Sequence, residues 1–224
     1  MSGREVRGDV AVGEDRIETA AIEPADAFAA IAIAHGAGLG MDHPFMAGFA
    51  RRISELGVAS MRFNFAYMQK GRRSPDPEAK LRATWLAAFD EAREQFGDRP
   101  IFACGKSLGG RIASMCVADG MPATGLVFLG YPLHPPGKPE RVRDDHLYRI
   151  SVPMLFLEGT ADPFAQPAIL EGVLERLGDL AELRQVDRGD HSFNVRGEKR
   201  DPSDVGASLA DMALPFVTRV AESG

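Results

Sequence analysis

The stretch from Ile101 to Ala113, Ile-Phe-Ala-Cys-Gly-Lys-Ser-Leu-Gly-Gly-Arg-Ile-Ala, constrains this chain more than any other. A short apolar run rich in β formers enters Gly105-Lys106-Ser107-Leu108-Gly109, and a helix-compatible run from Arg111 to Val117 leaves it. That order predicts strand, sharp turn, helix. A turn so tight holds its central residue in a strained backbone conformation, and side chains in place of Gly105 and Gly109 would collide with the neighbouring strand and helix. Ser107 is therefore expected at the tip, its hydroxyl above the C-terminal edge of a parallel sheet and beside the free N–H groups that open the next helix. The letters Gly105-Lys106-Ser107 also end a phosphate-binding P-loop, but that motif needs a glycine five residues before Gly105, where Pro100 stands. Nucleotide binding is set aside on that ground.

The rest of the chain repeats the pattern. Glu5 to Val12 and Arg16 to Ile22, parted by Gly13-Glu14-Asp15, read as a hairpin. Ala29 to Ala34 is a continuous apolar run of strand length, as expected of a strand covered on both faces, and it opens into His35-Gly36-Ala37-Gly38-Leu39-Gly40. Helical spacing from Pro44 to Leu56 puts Phe45, Phe49 and Ile53 on one face, with Gly57 as a stop, and Val58 to Phe63 is the next strand. A polar loop from Asn64 to Pro77 precedes a helix over Glu78 to Phe96. After the central turn come a strand at 125–129, a Pro- and charge-rich connection at 131–149 that could form a small lid, and a strand at 153–157. A helix at 167–177, a strand at 180–186 and a closing helix at 203–220 complete the chain. This alternation predicts an α/β fold with a mostly parallel sheet flanked by helices on both faces, right-handed crossovers and minimal or no cap. The length of 224 residues suits one such domain over 1–224.

Composition narrows the partners. A net charge of −6 offers no basic field for nucleic acid. No apolar run reaches the roughly 18 to 20 residues that span a bilayer, and Met1 to Arg7 lacks the apolar core of a signal peptide, so a soluble, cytoplasmic protein without a membrane partner is expected. Cys104 and Cys116 fall in apolar surroundings and read as small core residues rather than a bridge. No cluster of His, Cys and Asp has metal-ligand spacing, so neither a metal nor another cofactor is expected. A homo-oligomer is compatible with the sequence.

A serine hydroxyl is a weak nucleophile until a base takes its proton, and the base works best when an acid fixes its tautomer and stabilises its cation. Ser107, Asp162 and His191 follow in the order nucleophile, acid, base, each in a loop directly after a buried strand. Asp162 follows Gly159-Thr160-Ala161 and precedes Pro163, a setting that also suits an acid capping the next helix. Asp187 and Asp190 are the other acids to hand, but a side chain so near His191 in sequence points elsewhere too easily to orient its Nδ1. Of the remaining histidines, His35 is read as holding the glycine loop by hydrogen bonds, and His134 and His146, in the 131–149 connection, could touch substrate but are read as exposed and without a role. The donors for an oxyanion are expected from backbone: the N–H of Leu108, directly after the nucleophile, and that of Ala37 in the glycine loop. Asn64, Tyr67, Arg72 and Arg73 follow a strand on the active edge and are candidate substrate-binding residues, since an arginine there could grip a substrate carboxylate through its planar fork. The short insertion after Gly130 predicts an open site for a small or extended acyl substrate.

Motifs spread along the chain carry a resemblance. They are His35-Gly36-Ala37-Gly38 with Met41-Asp42-His43-Pro44-Phe45-Met46, Arg62-Phe63-Asn64-Phe65 with Gly71-Arg72-Arg73-Ser74-Pro75-Asp76, and Gly105-Lys106-Ser107-Leu108-Gly109-Gly110-Arg111. They continue with Gly130-Tyr131-Pro132-Leu133-His134-Pro135-Pro136-Gly137, Gly159-Thr160-Ala161-Asp162-Pro163-Phe164 and Gly189-Asp190-His191-Ser192-Phe193. In these the chain resembles α/β-hydrolases of the dienelactone-hydrolase-like group. It is more closely similar to the hydrolase-like family that includes the testis-expressed protein thirty and the hydrolase-fold subunit three of a histone-acetyltransferase regulatory complex. The resemblance implies the α/β-hydrolase fold and a serine-hydrolase site; it supplies no substrate. The chain departs from the dienelactone hydrolases themselves in carrying Ser107 where they carry cysteine. Two functions of different class follow: a serine hydrolase of carboxylic esters or thioesters working through an acyl-enzyme, and a hydrolase-fold interaction protein whose site is vestigial.

Overall fold

The apolar runs become β1 (Glu5–Val12), β2 (Asp15–Ile22), β3 (Ala29–Ala34), β4 (Val58–Phe63), β5 (Ile101–Lys106), β6 (Gly125–Leu129), β7 (Met154–Gly159) and β8 (Ala181–Val186). They form an eight-stranded sheet in the order β1-β2-β4-β3-β5-β6-β7-β8, in a computed structural model that describes residues 3–223. The β1–β2 hairpin is antiparallel and β2 runs antiparallel to β4. From β4 to β8 every pairing is parallel.

Every residue of β3, β4, β5, β6 and β7 is buried, which is why their sequences read as largely apolar runs rather than alternations, interrupted only by the buried Ser60, Arg62, Lys106 and Glu158. The pleat still sorts them. Ala30, Ala32 and Ala34 face one core while Ala29, Ile31 and Ile33 face the other. On the first side the sheet is covered by α3 (Glu78–Phe96), α4 (Leu108–Ala118) and α5 (Pro167–Leu177), through Trp85, Phe89, Ile112 and Leu170. On the second side lie α1 (Pro44–Glu55) and α6 (Pro202–Glu222), through Phe49, Ile53, Leu209 and Phe216. The α/β-hydrolase architecture expected from the sequence is the one observed. Cys104 and Cys116 are buried and unbridged.

Two connections differ from the sequence reading. Between β4 and α3 the polar loop contains a short helix, α2 (Ala66–Gln69), that turns Tyr67 into the core. Between β6 and β7 the chain is packed down rather than free as a lid. Its regular structure is a 3₁₀ turn at Leu147–Arg149, Tyr131 Oη donates to Arg143 O at 3.2 Å, and Arg143 N donates to Leu133 O at 2.7 Å. Ser114 Oγ of α4 and His146 Nε2 lie 2.8 Å apart, tying this connection to the helix after Ser107. Among the described residues no helix is long and apolar enough to cross a membrane.

Candidate active site

Parallel strands deliver their following loops to one edge, and β3, β5, β6, β7 and β8 all do so here. At β5 the chain reverses into α4 through Ser107, which has φ 48° and ψ −113°. That left-handed conformation is costly for a residue with a Cβ. Close packing holds it. A Cβ on Gly105 would stand 2.2 Å from Gly110 N, and one on Gly109 2.6 Å from Ala34 O, so the two glycines of the motif are the space in which α4 meets β5 and β3. Trp85 Nε1 of α3 donates to Gly109 O at 2.9 Å and fixes the turn from its far side.

The loops after β7 and β8 bring up the other two residues. Ala161 N donates to Gly189 O at 2.9 Å, joining the loops to each other. His191 Nε2 lies 2.8 Å from Ser107 Oγ, and its Nδ1 lies 2.6 Å from Asp162 Oδ2. With a carboxylate against Nδ1, the ring carries its proton there and offers the Nε2 lone pair to the serine hydroxyl. Asp162 is buried, and its second oxygen accepts from Phe164 N at 2.7 Å, while the Phe164 ring lies 4.5 Å from the imidazole, centroid to centroid. The other two acids do not meet the ring: Asp190 accepts from the backbone N–H groups of Ser192 and Asn194, and the Asp187 side chain is 86% exposed. Among the described residues, the non-glycine residues with positive φ are Ser107, Arg188 and Phe193, and the last two bracket His191. Backbone strain is thus concentrated on the serine turn and the histidine loop.

His35, at the end of β3, is fully buried and holds the glycine loop as expected. Its Nε2 accepts from Phe65 N at 3.1 Å, which leaves the proton on Nδ1 to be donated to Gly36 O at 2.8 Å. Burial pushes its pKa down to about 4. With the Gly36 carbonyl pinned and a tight turn closed by Leu39 N donating to Gly36 O at 3.2 Å, Ala37 is set beside Ser107 in the wall of the cleft. Leu108 N is the first N–H of α4 and has no partner within the helix.

Sequence reasoning missed the groups beneath this edge. Lys106, the residue before the serine, is buried, and its Nζ donates to His191 O at 2.5 Å. Burial pushes its pKa down to about 8, against the pull of Glu158, Asp162 and Asp190. Glu158, at the end of β7, is also buried; Oε1 accepts from Tyr131 N at 2.5 Å, and burial pushes its pKa well above the carboxylate range. A basic or acidic residue on a buried strand was the available signal, because such a position requires a partner.

A cleft of about 430 Å³ opens over Ser107 and His191, and its lining includes Ala37, Leu108, Arg111, His134 and Arg143. The four residues proposed from sequence for substrate do not line it. Asn64 Oδ1 accepts from Met41 N at 2.9 Å, Tyr67 is buried by α2, Arg72 is paired with Asp76, and Arg73 is exposed. Asp76 and the α2 turn hold that segment to the protein, and only its Pro75 reaches the cleft wall. His134 and His146, read as exposed, are buried and half-buried, because Tyr131 tucks their connection against α4.

Residues 27–218 match a family described as Alpha/beta hydrolase domain. Among solved structures, the chain is similar to a dienelactone hydrolase from Anabaena variabilis at a TM-score of 0.75 and 20% identity, covering 95% of this chain and 98% of that one. It is similar to Est1E from Butyrivibrio proteoclasticus, solved with ferulic acid bound, at a TM-score of 0.76 and 15% identity over 94% and 99% of the two chains. A Xanthomonas campestris protein described as an α/β serine hydrolase without lid matches at a TM-score of 0.72 and 19% identity, over 95% of each chain. At these identities the likeness is one of fold.

Proposed function

We propose, from the premise that this chain belongs to the Alpha/beta hydrolase domain family, that it is a serine hydrolase of carboxylic esters or thioesters with Ser107 as nucleophile, His191 as base and then acid, and Asp162 as the acid that orients it. The observation that carries this reading is the unbroken hydrogen-bonded chain from Ser107 Oγ through both nitrogens of His191 to Asp162, at 2.8 and 2.6 Å. A structural histidine needs no serine strained to φ 48° at its other nitrogen. Within the family, we read the motifs quoted above as resembling those of the hydrolase-like group that includes the testis-expressed protein thirty.

In this reading Ser107 Oγ bonds to the scissile carbonyl carbon as its proton passes to His191 Nε2, and the carbonyl π pair moves onto oxygen. Asp162 stays ionised and stabilises the imidazolium. The oxyanion is received by the N–H groups of Leu108 and Ala37, which the helix start and the pinned Gly36 carbonyl support for that role. Collapse breaks the C–O or C–S bond, His191 returns the proton to the leaving group, and the acyl group stays on Ser107. Water then attacks the acyl carbon, again giving its proton to His191, and the carboxylic acid leaves as Ser107 recovers its hydrogen.

The test is labelling with a fluorophosphonate probe, read as a mass shift on the Ser107 peptide, together with turnover of 4-nitrophenyl acetate. Ser107→Ala removes one hydroxyl and no packing, so the protein is expected to stay folded while labelling and turnover disappear. Equal turnover by wild type and folded Ser107→Ala would remove Ser107 as nucleophile, and a wild type that neither labels nor turns over ester would leave the interaction-protein reading in its place.

A further inference from the structure

The cleft over Ser107 is basic in a chain of net charge −6. Its lining carries Lys106, Arg111, His134, Arg143 and His191, and no Asp or Glu. Lys106 and His191 are engaged with each other and with the Ser107–Asp162 chain. Arg111 and Arg143 are not engaged in that way. Arg111 stands one helical turn after Ser107 on α4; its nearest carboxylate is Glu78, with Nη2 to Oε2 at 3.7 Å, too long for a hydrogen bond, and its buried Nε has no partner among the described residues. Arg143 comes from the β6–β7 connection and, among the described residues, has no carboxylate within ion-pair distance. Burial and the charge of Arg111 both lower its pKa, so the two guanidinium groups feel each other.

Two like charges turned to one cleft repel unless a counter-ion sits between them, and a half-buried guanidinium left unpaired forfeits the charge-assisted bonds it is built to make. His134 adds a third open group. It is 1% exposed, its Nδ1 lies 3.0 Å from Pro135 O, and its Nε2 has no partner among the described residues.

We propose that Arg111 and Arg143, with His134 beside them, form a subsite for an oxyanion, a carboxylate or a phosphate, carried by the substrate whose ester or thioester bond meets Ser107. The inference rests on the serine-hydrolase reading for the identity of that bond. The subsite itself is a matter of charge in the cleft. Because Arg111 follows Ser107 by one turn, about 6 Å along the helix axis, the anion belongs a few bonds from the scissile carbonyl. The neighbouring Leu39, Pro132 and Pro136 supply apolar wall for the chain between.

Two esters of equal chain length test this: 4-nitrophenyl hexanoate and mono-4-nitrophenyl adipate, whose six-carbon acyl group ends in a carboxylate. Wild type is expected to prefer the adipate ester in kcat/KM by about tenfold or more, the size of one or two charge-assisted hydrogen bonds. Arg143→Gln and Arg111→Gln are expected to bring that ratio towards one, and Arg143→Glu to bring it below one, with folding checked by circular dichroism. Calorimetry on Ser107→Ala measures the subsite without chemistry, using adipate, butyl phosphate and hexanamide. At least tenfold tighter binding of an anion than of hexanamide, lost in Ser107→Ala/Arg143→Gln, supports the subsite, and the tighter of adipate and butyl phosphate identifies its oxyanion. If neither ester is turned over, the serine-hydrolase reading fails while calorimetry still decides the subsite. Equal affinity for the three ligands, or a wild-type ratio near one with hexanoate turned over, overturns it.

Discussion

His35 gives the fold an acid lability that can be calculated. The ring is fully buried and neutral, with its pKa pushed down to about 4 by burial and both nitrogens committed to backbone, Nε2 accepting from Phe65 N and Nδ1 donating to Gly36 O. In the unfolded chain the same ring titrates near 6.5. Above that value neither state is protonated and the group is neutral to stability. Between 6.5 and about 4 the unfolded chain binds the proton first, so stability falls as pH falls, by up to about 1.4 kcal/mol per pH unit. Other groups titrate in this window: His146, pushed down to about 4 by burial and by Arg111, acts with His35, and Glu158, pushed up by burial, acts against it. A comparison with His35→Gln cancels both. Glutamine still offers an acceptor to Phe65 N, does not titrate, and gives up the bond to Gly36 O, a loss of about 1 kcal/mol at neutral pH. The wild-type advantage over His35→Gln, measured by urea unfolding followed by far-ultraviolet circular dichroism, is expected to shrink by about 2.5 kcal/mol between pH 7 and pH 4.5 and to change sign on the way. An advantage that stays constant across that range would mean that His35 is not held neutral, and with it would go the tautomer that pins Gly36.

Three further changes probe the site. Asp162→Asn keeps size but presents His191 with the wrong partner, so kcat should fall by up to about 10⁴-fold with folding intact; in combination with His191→Ala the further loss should be far less than multiplicative, and a near-normal kcat would return Asp187 or Asp190 to the role. Lys106→Met removes the donor to His191 O but also a buried cation whose pKa burial has pushed down to about 8. Its melting temperature should hold while kcat drops about tenfold, because methionine fills the same space and the histidine loop loses its tether; an unchanged kcat would make Lys106 a packing residue only. Gly105→Ala places a Cβ 2.2 Å from Gly110 N, and a loss above about 4 kcal/mol is expected, seen as insoluble protein; a soluble variant with the wild-type melting temperature would refute the packing account of the motif.

The serine turn was readable because two glycines, a strand and a helix all had to agree there, and each leaves a pattern in sequence. Asp162 and His191 were readable for a related reason: each follows a strand of the parallel run, and parallel strands send such residues to one edge, although β8, before His191, is a half-buried edge strand rather than the buried one expected. The substrate-facing residues were not. Position after a strand placed Asn64, Tyr67, Arg72 and Arg73 near that edge, but α2 rotates Tyr67 inward and Asp76 holds Arg72. The arginines that do line the cleft had no comparable signal. Arg111 looks like any polar helix residue, and Arg143 lies in a segment whose path is set by Tyr131 Oη reaching Arg143 O, a contact with no sequence period. His134 was misread for the same reason: a Pro-rich stretch suggests exposure, yet His134 is buried along with its neighbours Tyr131 and Leu133.

Lys106 and Glu158 show how three loops can present one aligned hydrogen-bond chain. Ser107 is fixed by close packing of β5 against α4, which leaves it little freedom. His191 sits in a loop packed against β7 rather than β5: a Cβ on Gly159 would stand 2.1 Å from Gly189 O. It needs a tie to the same strand that carries the serine, and Lys106 supplies one from the adjacent position on the chain. A shorter or apolar residue there would leave the His191 carbonyl unpaired at a buried edge, while an exposed lysine would not hold it. The tie therefore has to be a buried cation, with the desolvation that lowers its pKa. Glu158, Asp162 and Asp190 offset part of that desolvation through their charge. Asp162 in turn is held by Phe164 N and by the loop joined at Ala161 and Gly189. Each residue of the chain is thus positioned through a neighbour of one of the others, so displacement of one loop must stretch bonds in all three. That makes the alignment cooperative, and since Asp162 acts only through His191, the double change is expected to do little more than His191→Ala alone.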